Sequence, residues 1–497
     1  MVSLRLQNFF GETTTPPQEP LSRCQHEFLG PCFSDGVDSV ESLRRENASL
    51  QERVDYTIGW LADPVRPMER RDRDPHYQCT SGSQVRLLKS EEADCQIVHA
   101  YNKAKSGDVI SRVLHQFLID DEHPGTATRE LEALCEAARR GVKVHVLLCA
   151  WGCECNHSAF FGTLGSLMWW AMPGWDPVKA SPVAMRMRAA GIDVHVINNG
   201  YTWATNSWIP WPSVEHCKLA SVFYKDADDL VAFSGGKNLS DDRDVYRHDL
   251  MAKMRGPAAV DAHIQALLAL RHANIVISAQ AGTQSIREAY FPKNLTKRPG
   301  NTWACAMMSM PQHRCDFTQY ALEEAAAARP DAPYWATAPY VTVSSVARAM
   351  RTASGRGADA RLVTIDRDSH DSPSAYHALM ALMPRLTEDG SHVRVMFTQF
   401  YSHMKLYLFG KTVMVTSHNW DGLSKDRSSE FGFLYSSDMS HPHDQHNVVA
   451  RAKELFTRYF NHEGTSSEDV RDAEDSPHTG LLHGMRVWFW GKFAHLV

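Results

Sequence analysis

Two stretches of the chain carry the same set of residues, and these residues can act on a phosphate group. The set consists of His216, Lys218 and Asn238 in the first stretch and of His403, Lys405 and Asn419 in the second. A neutral imidazole can attack a phosphodiester phosphorus, and a second imidazolium can protonate the leaving oxygen. Lysine and asparagine side chains can bind the phosphate oxygens, so this chemistry requires no metal ion and no cofactor. One His-x-Lys is common by chance, whereas two copies with the same continuation are a strong signal.

Each copy is predicted to form a β-hairpin that positions these side chains. In the second copy, residues 406–415 are mostly apolar and rich in β-branched types around a turn at Gly410-Lys411. The histidine and the lysine of each copy are two positions apart, so both would point to one face of a strand. Ser417 and Asn419 repeat this spacing at the far end of the hairpin. A second pair of polar groups can therefore face the same site.

Strands and helices alternate from Val85 onwards, and their order recurs in the second half of the chain. We predict strands over residues 108–118, 142–149, 192–197, 273–278, 334–341, 360–364 and 393–397, and helices over 127–140, 183–190, 346–353 and 375–386. Such alternation is typical of layered α/β folds. The recurrence indicates an internal duplication in which each half contributes one His-x-Lys hairpin.

The repeated pattern resembles the signature of the phospholipase D superfamily. That signature is His-x-Lys, four residues, Asp, a turn, then Gly-Gly or Gly-Ser followed by x-Asn, and it is present twice. The resemblance covers roughly residues 100–460 and extends to the segments 139–144, 247–258 and 429–432. It implies an α/β protein of two similar α/β/α sandwich halves, related by a pseudo-two-fold axis, with one active site between them.

The chain departs from this signature at the aspartate. Phe223 stands at that position in the first copy and Gly410 in the second, and Asp228 in the longer first hairpin is a candidate replacement. In the second copy, Thr416-Ser417 replaces Gly-Ser. The tyrosyl-DNA phosphodiesterase branch also lacks the aspartate and keeps working sites. The departure therefore weakens assignment to the lipase branch without predicting a dead enzyme.

The resemblance implies roles for individual residues. His216 would be the nucleophile that forms a phosphohistidine, and His403 the general acid and base. Asp249 and Glu430 match family carboxylates that orient the imidazoles. The other catalytic residues implied are Lys218, Lys405, Asn238 and Asn419, and the predicted substrate-binding residues are Ser417, Gly235, Gly236, Trp169, Trp170 and Trp211. Any one of them alone is better explained as a surface charge or a core residue, but this does not account for the duplicated set.

The substrate prediction rests on aromatic segments near the first hairpin and at the chain end. Residues 159–175 are apolar and rich in tryptophan, Trp203, Trp208 and Trp211 precede His216, and residues 485–497 are aromatic. Trp and Tyr favour the membrane–water interface, so we expect a phospholipid substrate. The aromatic residues could instead fill the core or cover the groove between the halves.

Two other functions stay open at this point. Aromatic residues can stack on nucleic-acid bases, but the net charge of −6 gives no global electrostatic reason to expect a nucleic-acid phosphodiesterase. The second alternative is a non-catalytic lipid-binding scaffold that keeps the fold.

The expected division is an N-terminal extension over residues 1–84, two phospholipase D-like halves over 85–285 and 286–462, and an acidic tether with an aromatic tail over 463–497. Residues 63–84 are interpreted as a linker. Apolar residues recur at helical spacing over residues 40–61, with Asn47 at an inner position. This pattern favours an amphipathic helix lying on the catalytic body, and the alternative is a short coiled coil that forms a homodimer.

Composition sets the remaining expectations. The chain is 43% hydrophobic and 22% charged, as globular proteins are, and its eleven cysteines show no disulfide-framework spacing. Cys153, Cys155 and His157 form an incomplete ligand set and are interpreted as structural, so no metal site is predicted. The start lacks a signal-peptide pattern, and no apolar run has the length of a membrane span. We expect a cytoplasmic protein, with peripheral membrane contact left open.

Overall fold

The structure is a computed structural model. It describes residues 40–63, 79–152, 181–197, 214–241, 248–273, 282–310, 314–366, 372–387, 391–398, 400–426, 428–437, 446–460 and 470–472.

The first half is built on a mixed sheet. Its strands are β1 (Thr80–Lys89), β2 (Val109–Leu118), β3 (Lys143–Gly152), β4 (Asp193–Ile197), β5 (Val214–Glu215), β6 (Leu219–Tyr224), β7 (Asp229–Gly235), β8 (Leu239–Ser240) and β9 (Leu250–Arg255). Its helices are α1 (Val40–Ala62), α2 (Ser90–Lys103), α3 (Thr126–Arg139), α4 (Pro182–Ala189) and α5 (Pro257–His272). The strand order is β1–β9–β7–β6–β2–β3–β4, parallel from β2 to β4 and antiparallel elsewhere.

The second half repeats this arrangement. Its strands are β10 (Thr302–Met310), β11 (Arg314–Cys315), β12 (Pro333–Thr337), β13 (Asp359–Ile365), β14 (Arg394–Thr398), β15 (Leu406–Phe409), β16 (Thr412–Thr416), β17 (Ser428–Ser437) and β18 (Val470–Asp472). Its helices are α6 (Thr283–Tyr290), α7 (Asp316–Ala327), α8 (Ser344–Gly355), α9 (Pro373–Thr387), α10 (Gly422–Asp426) and α11 (Val448–Phe460). The strand order is β10–β17–β16–β15–β12–β13–β14, and β18 adds to β14.

The two sheets match strand for strand and in every parallel or antiparallel relation. The helices match as well, since α2 and α7 follow the first strand of each half and α5 and α11 follow β9 and β17. The predicted α/β fold of two similar halves is thereby confirmed. β1 joins the halves, because Thr80 and Ser83 pair with β10 while residues 84–89 pair with β9.

Each face of the first sheet has its own hydrophobic layer. On the outer face, α2, α3 and α4 cover the strands, with Ile97, Leu134 and Met187 buried beneath them. On the inner face, α5 lies against strands of this sheet and against β10. Every residue of α5 is buried, as expected of a helix that is enclosed on all sides. The α5 segment was not recognised in the sequence, because its apolar residues do not form a single stripe.

Helix α1 lies on the catalytic body, packed against α5 and α6. Leu50 and Val54 are fully buried there. Arg53 Nε donates to Asp261 Oδ1 at 2.8 Å, and Arg53 Nη2 donates to Asp261 Oδ2 at 3.2 Å. The apolar face that a coiled coil would require is therefore used within the chain. A homodimer through residues 40–61 stays a prediction.

Most predicted elements agree with the structure to within two residues, and four need correction or comment. Strand β1 begins at Thr80, so the end of the predicted 63–84 linker belongs to a sheet. The predicted acidic tether and aromatic tail over 463–497 include β18, which pairs with β14. The predicted strand over 334–341 ends at Thr337, and most of the one over 273–278 lies outside the described residues. The four-part domain division itself stays a prediction. None of the described helices is both long and apolar enough to cross a bilayer.

Replacing Arg53 by methionine is expected to destabilise the protein by about 3–5 kcal/mol, because Asp261 would be left as a buried carboxylate without its partner. The double variant Arg53→Met/Asp261→Leu should recover much of this loss, since no lone charge stays buried. Urea unfolding followed by circular dichroism measures both. Arg44→Met, at an exposed position of the same helix, is the control. A loss below about 1 kcal/mol for Arg53→Met would contradict the role given to this pair.

Candidate active site

His216 lies between β5 and β6 and is held by residues of the other half. Its backbone N–H donates to the carbonyl oxygen of Ser429 at 3.0 Å. Its ring Nδ1 lies 2.7 and 2.8 Å from the two carboxylate oxygens of Glu430, which belongs to β17. The ring and the carboxylate are both buried. Because a carboxylate accepts the proton of Nδ1, the lone pair of His216 lies on Nε2.

His403 is held in the same way by the first half. Its backbone N–H donates to the carbonyl oxygen of His248 at 2.9 Å, and its Nδ1 lies 2.8 Å from Asp249 Oδ2. Asp249 is fully buried at the start of β9. Each histidine is thus oriented by a carboxylate that the opposite half supplies. This exchange brings the two His-x-Lys copies into one buried centre.

Lys218 and Lys405 are also buried in this centre. Lys218 Nζ donates to the carbonyl oxygen of His216 at 2.8 Å, and Lys405 Nζ donates to that of His403 at 3.0 Å. Lys405 Nζ also lies 3.0 Å from Nε2 of His403. Neither His-x-Lys segment lies within a strand, because β6 and β15 begin one residue after the lysine. The predicted strand alternation therefore does not explain how the side chains converge, and these backbone contacts do.

Burial is the main cause of the pKa shifts in the centre. It lowers the pKa of His216 well below the usual range, and the charges of Lys218 and Lys405 act in the same direction. Burial, followed by the charge of Lys405, lowers the pKa of His403 to about 4. Burial also lowers the pKa of Lys218 to about 7, although the charge of Glu430 opposes it. Both imidazoles are neutral at pH 7, and an anion bound beside them would raise the pKa of His403.

The two asparagines occupy equivalent places after β7 and β16. Asn238 Nδ2 donates to Gln116 Oε1 at 3.4 Å, and the backbone N–H of Asn419 donates to Ser424 Oγ at 3.2 Å. The amide oxygen of each asparagine is buried without a hydrogen-bond partner among the described residues. Each side chain thus has hydrogen-bonding capacity left for a ligand.

Ser417 and Gly236 occupy equivalent positions in the two copies but contact the carboxylates in different ways. Ser417 Oγ donates to Glu430 Oε2 at 2.5 Å. A Cβ atom built on Gly236 would lie 2.8 Å from Asp249 Oδ1, so only glycine leaves this carboxylate undisturbed. The structure places both residues against the carboxylates that hold the histidines, and their substrate-binding role stays a prediction. Trp169, Trp170 and Trp211 lie outside the described residues.

The residues that precede Gly236 and Ser417 show a reciprocal pattern. Gly235 lies opposite Met251 on the neighbouring strand, and Thr416 lies opposite Gly432. A Cβ atom on Gly235 would clash with the carbonyl oxygen of Leu250, and one on Gly432 would lie 2.6 Å from Cβ of Thr416. Each half therefore keeps one glycine in the pair, but on opposite strands.

Several residues of the centre were not predicted from the sequence. The ring of His115 lies 4.6 Å from that of His216 in an edge-to-face arrangement, and its Nδ1 is 3.2 Å from the carbonyl oxygen of Glu215. The rings of Tyr340 and Tyr401 lie 6.4 and 6.1 Å from that of His403. The signal for His115 and Tyr340 was their place in the chain, since His115 lies near the carboxyl end of β2 and Tyr340 follows β12.

The residues at the missing signature aspartate have structural roles. Phe223 is in the core, and Gly410 has φ +59° in the turn between β15 and β16. Asp228 does not replace the aspartate, because its carboxylate accepts from the backbone N–H groups of Lys293 and Asn294 at the far end of the first hairpin. Among the described residues, no group of three His, Cys, Asp or Glu could hold a metal ion. Cys153, Cys155 and His157 lie outside them.

Comparisons with known proteins match part of the chain to one family model and most of the chain to one solved fold. The model of the phospholipase D-like domain of cardiolipin synthase matches residues 309–459. Phosphatidylserine synthase of Haemophilus influenzae is 13% identical with a TM-score of 0.53, over 83% of this chain and 93% of that chain. Polyphosphate kinase of Porphyromonas gingivalis is 12% identical with a TM-score of 0.41, over 71% and 47%. A phospholipase D family member of Salmonella typhimurium is 16% identical with a TM-score of 0.26, over 34% and 97%. No curated protein matches the chain in sequence.

Replacing Gly236 by alanine is expected to displace the Asp249 carboxylate from His403. A displacement of about 1 Å at such a centre can lower turnover by about 10²-fold. Hydrolysis of bis(p-nitrophenyl) phosphate measures the loss, and the thermal unfolding midpoint shows whether the fold is kept. Gly355→Ala is the control, because a Cβ atom there would meet no atom within 4 Å. Equal turnover in both variants would show that the position of Asp249 does not matter.

Three features agree with the resemblance to the phospholipase D superfamily. The chain carries two His-x-Lys hairpins that each end in an asparagine, two halves with the same strand order, and a segment that matches a phospholipase D-like family model. The histidines of the two copies, each paired with a carboxylate of the opposite half, meet in one centre. Residues 309–459 thus match a phospholipase D-like domain, and the chain as a whole has the fold of two similar halves that its resemblance to the phospholipase D superfamily implies.

Proposed function

We propose that the protein is a phosphodiesterase or phosphatidyltransferase that acts on a phospholipid through a phosphohistidine. The observation that carries this proposal is the pair of buried imidazoles, one from each half and each fixed by a carboxylate of the other. A single histidine could be structural, whereas two oriented imidazoles beside two buried ammonium groups form a complete set for in-line displacement at phosphorus.

In the first step, Nε2 of His216 attacks the phosphorus and a nitrogen–phosphorus bond forms. The bond from phosphorus to the leaving oxygen breaks, and that oxygen takes a proton from the His403 imidazolium. Because the pKa of His403 is lowered to about 4, the imidazolium depends on the bound phosphodiester anion, whose charge raises this pKa. Lys218 and Lys405 would stabilise the charge on the equatorial oxygens.

In the second step, water or an alcohol gives its proton to His403 and attacks the phosphorus from the opposite side. The nitrogen–phosphorus bond breaks, and His216 regains its lone pair. Water gives hydrolysis and an alcohol gives transfer, so the two reactions share every group of the centre. The choice between them depends on which acceptor reaches the phosphohistidine.

Two features support a phospholipid as the substrate. The family model that matches residues 309–459 is that of the phospholipase D-like domain of cardiolipin synthase. The apolar, tryptophan-rich segment 159–175 and the aromatic residues 485–497 have the composition of segments that contact a membrane interface. We infer a cytoplasmic protein that contacts the membrane peripherally through these segments. A nucleic-acid substrate is less well supported, because the chain carries a net charge of −6.

Trapping the intermediate tests the role of His216. A quench in alkali during turnover of a phospholipid labelled in the phosphatidyl group should yield labelled phosphohistidine, and His216→Ala should abolish it and lower turnover by at least about 10³-fold. His392→Ala, at an exposed histidine, is the control. With ethanol added, a phosphatidylethanol product would report both a lipid substrate and transfer. Turnover that survives His216→Ala would refute the role of His216, and activity on oligonucleotides alone would refute the lipid.

The pKa of Lys218 predicts a pH dependence. Its charged form binds the phosphate, so kcat/KM should fall as pH rises through about 7. In kcat, the bound anion raises the pKa of the lysine, so the falling limb should lie at higher pH. Lys218→Arg should remove the limb from kcat/KM, because a guanidinium stays charged, at a lower overall rate. A kcat/KM that is constant from about pH 6 to about pH 9 would contradict this prediction.

A further inference from the structure

A second cluster of positive charge lies outside the His216 centre. It surrounds a cavity of about 210 Å³ on the face of the first sheet that α2 covers. The residues that matter for its chemistry are Gln96, His99, Lys103, Tyr224, Lys253 and Arg255. Lys253 follows Asp249 by four residues on the same chain segment, which places the cavity roughly 13 Å from the carboxylate along the strand.

The charged side chains that line this cavity are all basic. Three of the lining residues are Lys103, Lys253 and Arg255, and none of the lining residues is acidic. Arg255 Nη2 lies 3.6 Å from Asp229 Oδ2, but the same carboxylate also lies 3.6 Å from Lys297 Nζ. Lys103 and Lys253 have no carboxylate partner within salt-bridge distance among the described residues. A cation-rich cavity of this kind is unexpected in a chain whose net charge is −6.

Lys253 is a partly buried ammonium group whose hydrogen-bond partner is neutral. Its ammonium donates to Gln96 Oε1 at 2.7 Å and lies 6.0 Å from the centre of the Phe233 ring. Burial lowers the pKa of Lys253, and the charges of Arg255 and Arg86 lower it further. Lys103 Nζ lies 5.0 Å from the centre of the Tyr224 ring. Lys253 is thus held at the cavity by neutral groups, and a bound anion would offset the cost of its burial, whereas Lys103 is exposed beside the Tyr224 ring.

We propose that this cavity binds a phosphate group, carried either by a small soluble phosphate or by the headgroup of an anionic phospholipid. Two lysines and one arginine supply the charge, and Gln96 and His99 supply further polar groups around it. The volume suits a phosphate with few attached atoms, whereas a nucleic-acid strand is bound along an extended groove. The site is separate from the centre that carries out the reaction.

The elements that line this cavity also hold the active centre. At the start of α2, Ser90 Oγ accepts from the backbone N–H of Asp249 at 2.8 Å. One turn later, Asp94 Oδ1 lies 3.3 Å from the ammonium of Lys237, the neighbour of Asn238. A ligand in the cavity would therefore contact α2 and β9, the helix and strand that position Asp249, whose carboxylate orients His403.

Residue-resolved lysine acylation on the intact protein tests the proposal. The reaction rates of Lys103 and Lys253 are measured by mass spectrometry with no addition, with inorganic phosphate, with phosphatidylcholine vesicles, and with vesicles of phosphatidylcholine and phosphatidic acid. A bound phosphate covers the amines and favours their unreactive charged form, so both rates should fall several-fold. Lys225, exposed in the turn between β6 and β7, should react at a constant rate.

The four conditions separate the possible results. Protection by inorganic phosphate would support the site with a soluble ligand. Protection by phosphatidic acid vesicles alone would support it with a lipid headgroup. Unchanged rates under every condition would overturn the proposal. Equal protection by vesicles with and without phosphatidic acid, with no protection by inorganic phosphate, would also overturn it, because that result is steric shielding. The reaction at His216 is not involved in any of these measurements, so their failure would leave the proposed function untouched.

Discussion

The structure depends on two carboxylate–imidazole pairs that cross between the halves. Glu430 orients His216, and Asp249 orients His403, at distances of 2.7 to 2.8 Å. All four groups are buried, together with the ammonium groups of Lys218 and Lys405. While Lys218 keeps its proton, two carboxylates and two ammonium groups balance each other, and the neutral imidazoles add no charge. In a half on its own, the histidine would lack the carboxylate that orients its ring, and the carboxylate would lack its imidazole.

The backbone enforces this exchange. The N–H of His216 is bonded to the carbonyl of Ser429, the residue before Glu430, and the N–H of His403 is bonded to the carbonyl of His248, the residue before Asp249. Each of the two histidines is therefore fixed at both its main chain and its ring by the same two-residue segment of the other half. Strand β1, which pairs with both β9 and β10, ties the sheets that carry these segments. The positions of the two histidines are therefore set by contacts between the halves more than by either hairpin.

The sequence was most informative where a pattern was repeated. Duplication identified both histidines, both lysines and both asparagines, and periodicity located most strands and helices of the layered core. It could not find α5, whose residues are buried on every side and show no polar face. It could not find His115 either, because the contact with His216 is made between residues about a hundred positions apart. The exchange of carboxylates is likewise a property of the assembled halves, and no local spacing encodes which acid meets which imidazole.

The reciprocal glycines at Gly235 and Gly432 limit how the two repeats can diverge. Each strand pair has room for one side chain at this position, and the two halves carry that side chain on opposite strands of the pair. Copying a single residue from one repeat into the other would place two side chains in space for one, or leave a gap. Only a paired exchange preserves the packing beside the carboxylates. No single substitution can therefore make the two repeats identical at this position without a clash or a gap, although the two halves still share one architecture.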